Sequence, residues 1–421
     1  MNRIFILTSI LFFLLTCSSS FARYQIDITP SITITDRYDD NIDLEVNNKI
    51  SDYTTTVSPG LTLDITSGKN SLQLRYTPSI VRYREMDQND TTRQSGAFTF
   101  FEDISSRLRF ELSDTYLRSE EQIESTDGII GIRSSRNLYQ RNNGRADMSY
   151  SFGPNSSISF GYNHSLMEND DITLDDGTVF DPYISLVNRL NSTNGMEFNI
   201  SYSIADFTRD DGNPPGDDYR GISETLRYIY NLNPHTSISA AYGINRRNFK
   251  GESEDYCVYD GDINLDHNFS ARYAFSLSLG GFKQKNKFSN GENGFTGNFL
   301  LRGDFNRGNY NFGINSGWNE VYLEADRRGF TKYKGLTFNL QYQVTERISN
   351  YTDISYRYDE DTTGSITKAI NASYGWSITV NRWYTVTIDY SCFSRDENLS
   401  NNDYIVNQIT LNLGLSKPFR W

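Results

Sequence analysis

Residues 404–421 read Tyr-Ile-Val-Asn-Gln-Ile-Thr-Leu-Asn-Leu-Gly-Leu-Ser-Lys-Pro-Phe-Arg-Trp. Taken every second residue, Ile405, Ile409, Leu411, Leu413, Leu415, Phe419 and Trp421 share one face of an extended strand. Gln408, Thr410, Asn412, Gly414 and Ser416 share the other. Strand side chains alternate with period two, so this stretch has one apolar and one polar face. Lys417 falls on the apolar face, and Pro418 interrupts the last residues. An ordinary edge strand carries the same alternation, so the rest of the chain must decide.

The alternation recurs upstream. Leu108, Phe110 and Leu112 oppose Arg107, Arg109 and Glu111; Met148, Tyr150 and Phe152 oppose Asp147, Ser149 and Ser151. Leu336, Phe338, Leu340 and Tyr342 oppose Thr337, Asn339 and Gln341; Tyr384, Val386, Ile388 and Tyr390 oppose Thr385, Thr387, Asp389 and Ser391. These runs cover about 10 to 15 residues, enough to cross a bilayer at a tilt, whereas sandwich strands are typically about 5 to 6.

Turn chemistry separates the runs at Thr66–Asn70, Gly153–Asn155, Asn231–Thr236, Asn306–Asn309 and Val380–Arg382. The alternate connections are long and acidic: Asp36–Asn48, Ser119–Arg136, Glu168–Asp181, Arg209–Asp218, Glu252–Asp262 and Tyr358–Thr363. Short turns on one rim and long loops on the other is the asymmetry of outer-membrane barrels, periplasmic and extracellular respectively. Tyr228, Tyr230, Tyr310, Phe312, Trp376, Trp383 and Tyr384 gather beside short turns, where an interfacial girdle belongs.

Composition agrees. The 421 residues include 29 Tyr and 26 Phe, yet only 37% are hydrophobic, as suits a surface greasy on one side and wet on the other. The expected fold is all-β, a single transmembrane antiparallel up-and-down barrel of about 18 to 20 strands. Tyr183–Asp206 is the stretch where the count is ambiguous. An even number lets a first strand near Ile26–Thr35 close against the last.

At the N-terminus, Arg3, the apolar run Ile4–Thr16 and Ser20-Phe21-Ala22 read as a signal peptide over residues 1–22, leaving 23–421 as the barrel. The apolar run is too short to span as a helix, and no later segment approaches 18 apolar residues. Removing Arg3 takes the net charge from −13 to −14, which argues against nucleic acid and anionic surfaces as partners. Of three cysteines Cys17 leaves with the signal; Cys257 and Cys392 allow one bridge in an oxidising compartment, with two free thiols the favoured state.

Nothing in the sequence arranges catalysis. His164, His235 and His267 lie in separate hairpins without metal-ligand spacing. There is no Gly-x-Ser-x-Gly elbow and no phosphate-binding glycine loop. Asp170-Asp171 with Asp175-Asp176-Gly177, and Asp359-Glu360-Asp361, miss the spacing of a calcium loop and read as solvated loop charge. No cofactor, metal or enzymatic activity is expected.

The polar face carries more information. With apolar residues toward lipid, Gln73, Arg75, Arg107, Arg109, Glu111, Arg145, Asp147, Arg227, Asn298, Arg302, Asp304 and Asp389 turn toward a lumen. Arg109/Glu111, Arg145/Asp147 and Arg302/Asp304 set opposite charges two residues apart. Mutual neutralisation of a wet wall accounts for them; so does a hydrogen-bonding track for an acidic sugar polymer.

Two stretches resemble known proteins. Ile28–Ile42 ends in Tyr38-Asp39-Asp40-Asn41, and Asp52–Leu61 carries Ser58-Pro59-Gly60. This hairpin resembles the start of the β-barrel porins found with exopolysaccharide and PEP-CTERM systems (β-barrel porin 2-like). The terminal strand, with Leu411, Leu413, Leu415, Phe419 and Trp421, resembles the C-terminal signal read by the barrel-assembly machinery. The resemblance implies an outer-membrane channel for exopolysaccharide export, surrounded by lipid and lipopolysaccharide and docking a periplasmic polysaccharide-export protein. The alternatives are a general diffusion porin, constricted by the Ser119–Arg136 loop with its Gly128-Ile-Ile-Gly131, and a non-transporting structural or adhesin-like barrel.

Overall fold

The structure is a computed structural model describing residues 24–126, 129–133, 136–322, 329–398 and 403–421. The expected signal peptide, with Cys17 and the cleavage site after Ala22, lies outside the described residues. Strand β1 spans Gln25–Asp39, β2 Asp52–Thr66, β3 Asn70–Tyr83, β4 Thr91–Asp103 and β5 Leu108–Ser119. A small hairpin of β6 (Ile123–Thr126) and β7 (Ile129–Ile132) stands apart from the main sheet. The wall resumes with β8 (Tyr139–Gly153), β9 (Ser156–Asn169), β10 (Asp176–Arg189), β11 (Asn194–Thr208) and β12 (Tyr219–Asn233). Then come β13 (Thr236–Phe249), β14 (Tyr256–Asn268), β15 (Tyr273–Asn286), β16 (Asn293–Phe305) and β17 (Gly308–Val321). The last are β18 (Gly329–Gln343), β19 (Ile348–Asp361), β20 (Ile366–Thr379), β21 (Tyr384–Glu397), β22 (Tyr404–Ser416) and β23 (Phe419–Arg420).

Neighbours in sequence pair antiparallel, β5 joins β8 past the small hairpin, and β22 returns to β1. The 21-stranded sheet is thus a closed barrel of twenty long strands plus the two-residue β23. Closure leaves the wall without a free edge strand, which hydrocarbon demands because an unpaired backbone group there costs several kcal/mol. The wall strands hold 12 to 15 residues. At about 3.3 Å per residue and about 45° of tilt they rise about 28 to 35 Å, the thickness of a bilayer core.

The seam fixes the register of the terminal strand. Ser31 faces Ser416, and beyond the break Ile28 faces Phe419 and Asp27 faces Arg420 in the same alignment. Ile26 and Trp421 exchange backbone hydrogen bonds of 3.1 and 2.9 Å. Pro418 therefore interrupts the ladder without shifting it. Lys417 keeps its place on the apolar face, with Nζ 5.0 Å from the centre of the Phe419 ring and 5.7 Å from that of Trp383. A lysine so placed lays its stem on apolar surface and its charge at the edge.

The short turns fall where sequence places them, but four acidic stretches are shorter as loops than composition suggests: β1 runs to Asp39 and β19 to Asp361, and two more are cut deeper. β9 runs to Asn169 and β10 begins at Asp176, while β14 begins at Tyr256. The reason is the wet side of the wall: Asp181 accepts from Ser203 Oγ at 2.9 Å and Asp262 from Ser278 Oγ at 3.1 Å. In such a barrel a carboxylate marks the polar face as readily as a loop. Tyr183–Asp206 resolves into the end of β10, a four-residue turn and β11.

Candidate functional site

Pairing partners share a face, and the parity set by β1 returns to β1 unbroken through β22. On the polar parity lie Arg75, Arg109, Glu111, Arg145, Asp147, Arg227, Arg302, Asp304 and Asp389, with Arg107 in the turn just before β5. The opposite parity exposes Tyr76, Phe160, Tyr242, Ile263, Ile314, Ile388 and Ile409, a continuous apolar belt.

The pairs of charges are looser than their spacing suggests. Arg109 bonds Asp103 at 2.7 Å and lies 3.8 Å from Glu111. Arg145 is 4.0 Å from Asp147, which accepts instead from the Tyr183 hydroxyl at 2.6 Å, and Arg227 is 3.9 Å from Glu197. Asn412 donates to Asp389 at 3.5 Å. Arg302 and Asp304 share the face without an ion pair among the described residues. The side chains of Arg109, Arg145 and Arg227 are 48%, 58% and 44% exposed. Pairs this wet contribute about 0 to 1 kcal/mol, so these arginines are available to a solute rather than committed to the fold.

Every cation that the register puts on the polar face is an arginine; the strand lysines, Lys283, Lys285, Lys332, Lys334 and Lys368, all take the other parity. A guanidinium is a flat fork that binds carboxylates and hydroxyls in pairs and stacks on rings. Two tyrosines lie flat on the same face. Tyr183 pairs with Gly161 and Tyr351 with Gly375, and a Cβ at either glycine would run into the tyrosine ring. The Arg145 guanidinium sits 5.3 Å from the centre of the Tyr183 ring, and that of Arg109 5.2 Å from Phe101. Sequence alternation missed Tyr183 and Tyr351, because only pairing shows that each faces a glycine.

Among the described residues, the β1–β2 loop folds in at the long-loop end, with Ile42 buried against Val81 and Tyr83, and two further segments leave the wall there. The first is the upper part of the β17–β18 hairpin. β17 pairs with β16 only as far as Ser316, while it stays paired with β18 to Val321. Beyond the split its outer side chains turn onto the polar face of β12 to β15. Trp318 stacks on Phe330, Phe330 packs on Tyr256 and Phe282, and Tyr322 meets the rings of Tyr219 and Phe249. Arg247 binds Glu320 at 2.6 Å, and the Tyr256 hydroxyl donates to Glu320 at 2.7 Å. Lys332 closes the outside of the fold by bridging Glu292 and Glu360 at 3.0 and 2.9 Å.

The second segment joins β5 to β8. Glu120 is buried, held by Arg93 and by the Tyr83 hydroxyl at 3.1 Å. Glu121 faces Arg37 at 3.1 Å, Arg93 at 2.7 Å and Arg136 at 3.7 Å. Burial pushes the Glu121 carboxyl up, but Arg37, Arg93 and Arg136 outweigh it and hold the group at about 2. Ile123 reaches the buried cluster of Ala369, Phe393, Tyr404 and Val406 on β20 to β22. Arg136 donates to the carbonyl of Ile42, tying in the β1–β2 loop. Of the expected constriction Ser119–Arg136, residues 127–128 and 134–135 lie outside the described residues.

The remaining candidates stay apart. His164 packs on Phe180, His267 on Phe269 and Phe275, and His235 occupies a turn. Asp171 caps Thr173, Asp176 accepts from the Asn169 N–H, and Asp359 binds Arg357 at 2.9 Å. Cys257 and Cys392 are free thiols on β14 and β21.

No curated protein matches the chain. Among solved structures, the siderophore receptor PirA from Pseudomonas aeruginosa is 9% identical, with 92% of this chain and 80% of that one covered at a TM-score of 0.52. The FrpB iron transporter from Neisseria meningitidis is 8% identical over 92% and 81% at 0.53. A mutant of the P. aeruginosa ferric enterobactin receptor PfeA is 8% identical over 93% and 81% at 0.54. At such identities the likeness is one of fold, that of large outer-membrane barrels. Residues 27–209 match the model of the family described as putative beta-barrel porin 2, the family that the opening hairpin resembles.

Proposed function

We propose that this β-barrel, an outer-membrane channel by fold and family likeness, is a passive conduit for exopolysaccharide export. On this reading Arg75, Arg107, Arg109, Glu111, Arg145, Asp147, Arg227, Arg302, Asp304 and Asp389 line the lumen. A barrel of twenty strands is wide enough for an aqueous passage. The observation that carries the choice of cargo is the arginine-only polar face with tyrosines laid flat on it. Sugar rings present hydroxyl edges to guanidinium forks and C–H faces to aromatic rings, so such a wall holds a sugar chain weakly at many points without trapping it. A periplasmic export protein would deliver the polymer to the short-turn rim. The C-terminal strand, with Leu411, Leu413, Leu415, Phe419 and Trp421, would recruit the assembly machinery.

A second reading, a general diffusion porin for small hydrophilic solutes, is favoured by the inward bonds of Glu120 and Glu121. One experiment separates the two. In planar bilayers an export conduit should be blocked in a length-dependent way by oligouronates, and the deletion strain should lose surface polymer and accumulate it in the periplasm. Length-independent passage of small sugars, with unchanged surface polymer, would sink the export reading and leave the diffusion porin.

A further inference from the structure

Arg220 on β12, Arg246 on β13 and Lys283 and Lys285 on β15 occupy the apolar parity at the long-loop end of their strands, and all four are exposed. Arg246, Cys257 and Lys285 form one cross-strand row. At about 4.8 Å per strand, Arg246 and Lys285 stand about 10 Å apart. Arg220 is diagonal to Arg246, and Lys283 lies one step down its strand toward the apolar belt.

Several other cations of this outer face are matched, while Arg118 and Lys334, which lies over the Tyr358 ring, stand singly without an ion pair among the described residues. Lys332 binds Glu292 and Glu360, Lys368 binds Asp396 and Arg82 binds Asp90, and at the edge of the patch itself Lys250 binds Asp206 and Asp218. Arg220, Arg246, Lys283 and Lys285 join no ion pair among the described residues, although the chain carries a net charge of −13. Two acids of that face lie nearby: Glu224 on β12, one step below Ile222, the cross-strand partner of Arg246, and Asp206 on β11, one step from Ile204, the partner of Arg220. Asp206 is held by Lys250. Below the cations lie Leu226, Tyr242, Ile263 and Leu279, between 47% and 62% exposed. A hollow of about 650 Å³ opens here, lined by Tyr202, Arg220, Ile222, Arg246, Asn248 and Lys250.

We infer that this patch is a binding site for the phosphorylated headgroup of an outer-leaflet glycolipid, with acyl chains along the belt and phosphates on the four cations. Unmatched charge directly above an apolar belt is what an amphiphilic anion requires: hydrocarbon contact below, counter-charge at headgroup height. A free polyanion has no use for the belt, and a protein partner would have to displace lipid from it. The inference rests on the outer-membrane reading of the barrel and locally reverses the aversion to anionic surfaces that net charge suggests.

The test uses the full chain purified in detergent, with bisphosphorylated lipid A, its monophosphoryl form and a phosphate-free glycolipid of equal acyl content as probes. Native mass spectrometry should show about one retained bisphosphorylated lipid per barrel, with retention falling as phosphates are removed. The variant R220Q/R246Q/K283Q/K285Q should lose binding at least 10-fold, whereas K368Q, at a matched pair, should keep it. Equal retention of all three lipids, or equal binding by the quadruple variant, overturns the site. Fractionation and heat-modifiable migration run alongside: a chain absent from the outer membrane refutes the underlying reading, whereas an outer-membrane barrel without phosphate preference refutes only the site.

Discussion

Arg247 and Glu320 meet at 2.6 Å although their strands, β13 and β17, are not neighbours in the wall. The two side chains are only 8% and 11% exposed, and the pair latches the upper β17–β18 hairpin across the barrel mouth. Removing one partner of a buried pair leaves the other charge stranded, at a cost of about 3 to 5 kcal/mol. Arg247→Gln or Glu320→Gln should therefore release the hairpin while the wall, held by its own ladders, stays closed. Single-channel recordings should show higher conductance for each, with the double variant milder than the sum. Unchanged conductance in a barrel that still migrates as folded would show that the hairpin does not restrict the passage.

The second latch is set by pH. The Glu121 carboxyl is held at about 2, below its ordinary value near 4.5. A depressed folded value means that its contribution is fully present above pH 4.5 and is lost as pH falls through about 2. Conductance should stay flat from pH 7 to about 4 and rise below about 3. In Glu121→Gln the acid step should vanish. An opening step already complete at pH 5 would mean that some other group controls this segment.

The flat tyrosines make the cargo reading testable at one atom. A Cβ at Gly161 would collide with the Tyr183 ring. Gly161→Val should lift that ring off the wall, and Tyr183→Ala should remove it. Since an aromatic contact is worth about 1 kcal/mol, both should weaken block by oligouronates about 5-fold, with heat-modifiable migration retained. Equal block in all three proteins would remove Tyr183 from the cargo's path.

Much of the wall was legible because a membrane barrel imposes period two on every strand and alternates short turns with long loops. Leu336 to Tyr342 and Tyr384 to Ser391 needed nothing more. The site was legible only as a parity. Arg109 and Glu111 share a face at any register, but that Arg109 prefers Asp103 depends on a turn, and Tyr183 over Gly161 on a pairing. The latches were hidden for a stronger reason. Glu320 and Trp318 have the parity of outward residues, and only the parting of β17 from β16 past Ser316 turns them inward. Nothing local in sequence records where a strand leaves its neighbour.

The seam offers a prediction built on two prolines. Ile26 and Trp421 form a hydrogen-bonded pair, so such pairs recur every second residue and include Pro30 with Lys417. Lys417 N–H donates to the Pro30 carbonyl at 3.2 Å, but Pro30 has no N–H to return to Lys417. Pro418, opposite Thr29, has its nitrogen directed away from β1, so its missing donor costs the seam nothing. Replacing either proline by valine loosens the unfolded chain by a similar amount, about 0.4 to 1 kcal/mol. Only Pro30→Val gains a ladder bond, worth about 0.5 to 1.5 kcal/mol. Pro30→Val should therefore resist heat unfolding better than Pro418→Val by a few degrees on the same gel. The reverse order would mean that the seam is out of register by one residue, which would exchange the apolar and polar faces of the closing strand.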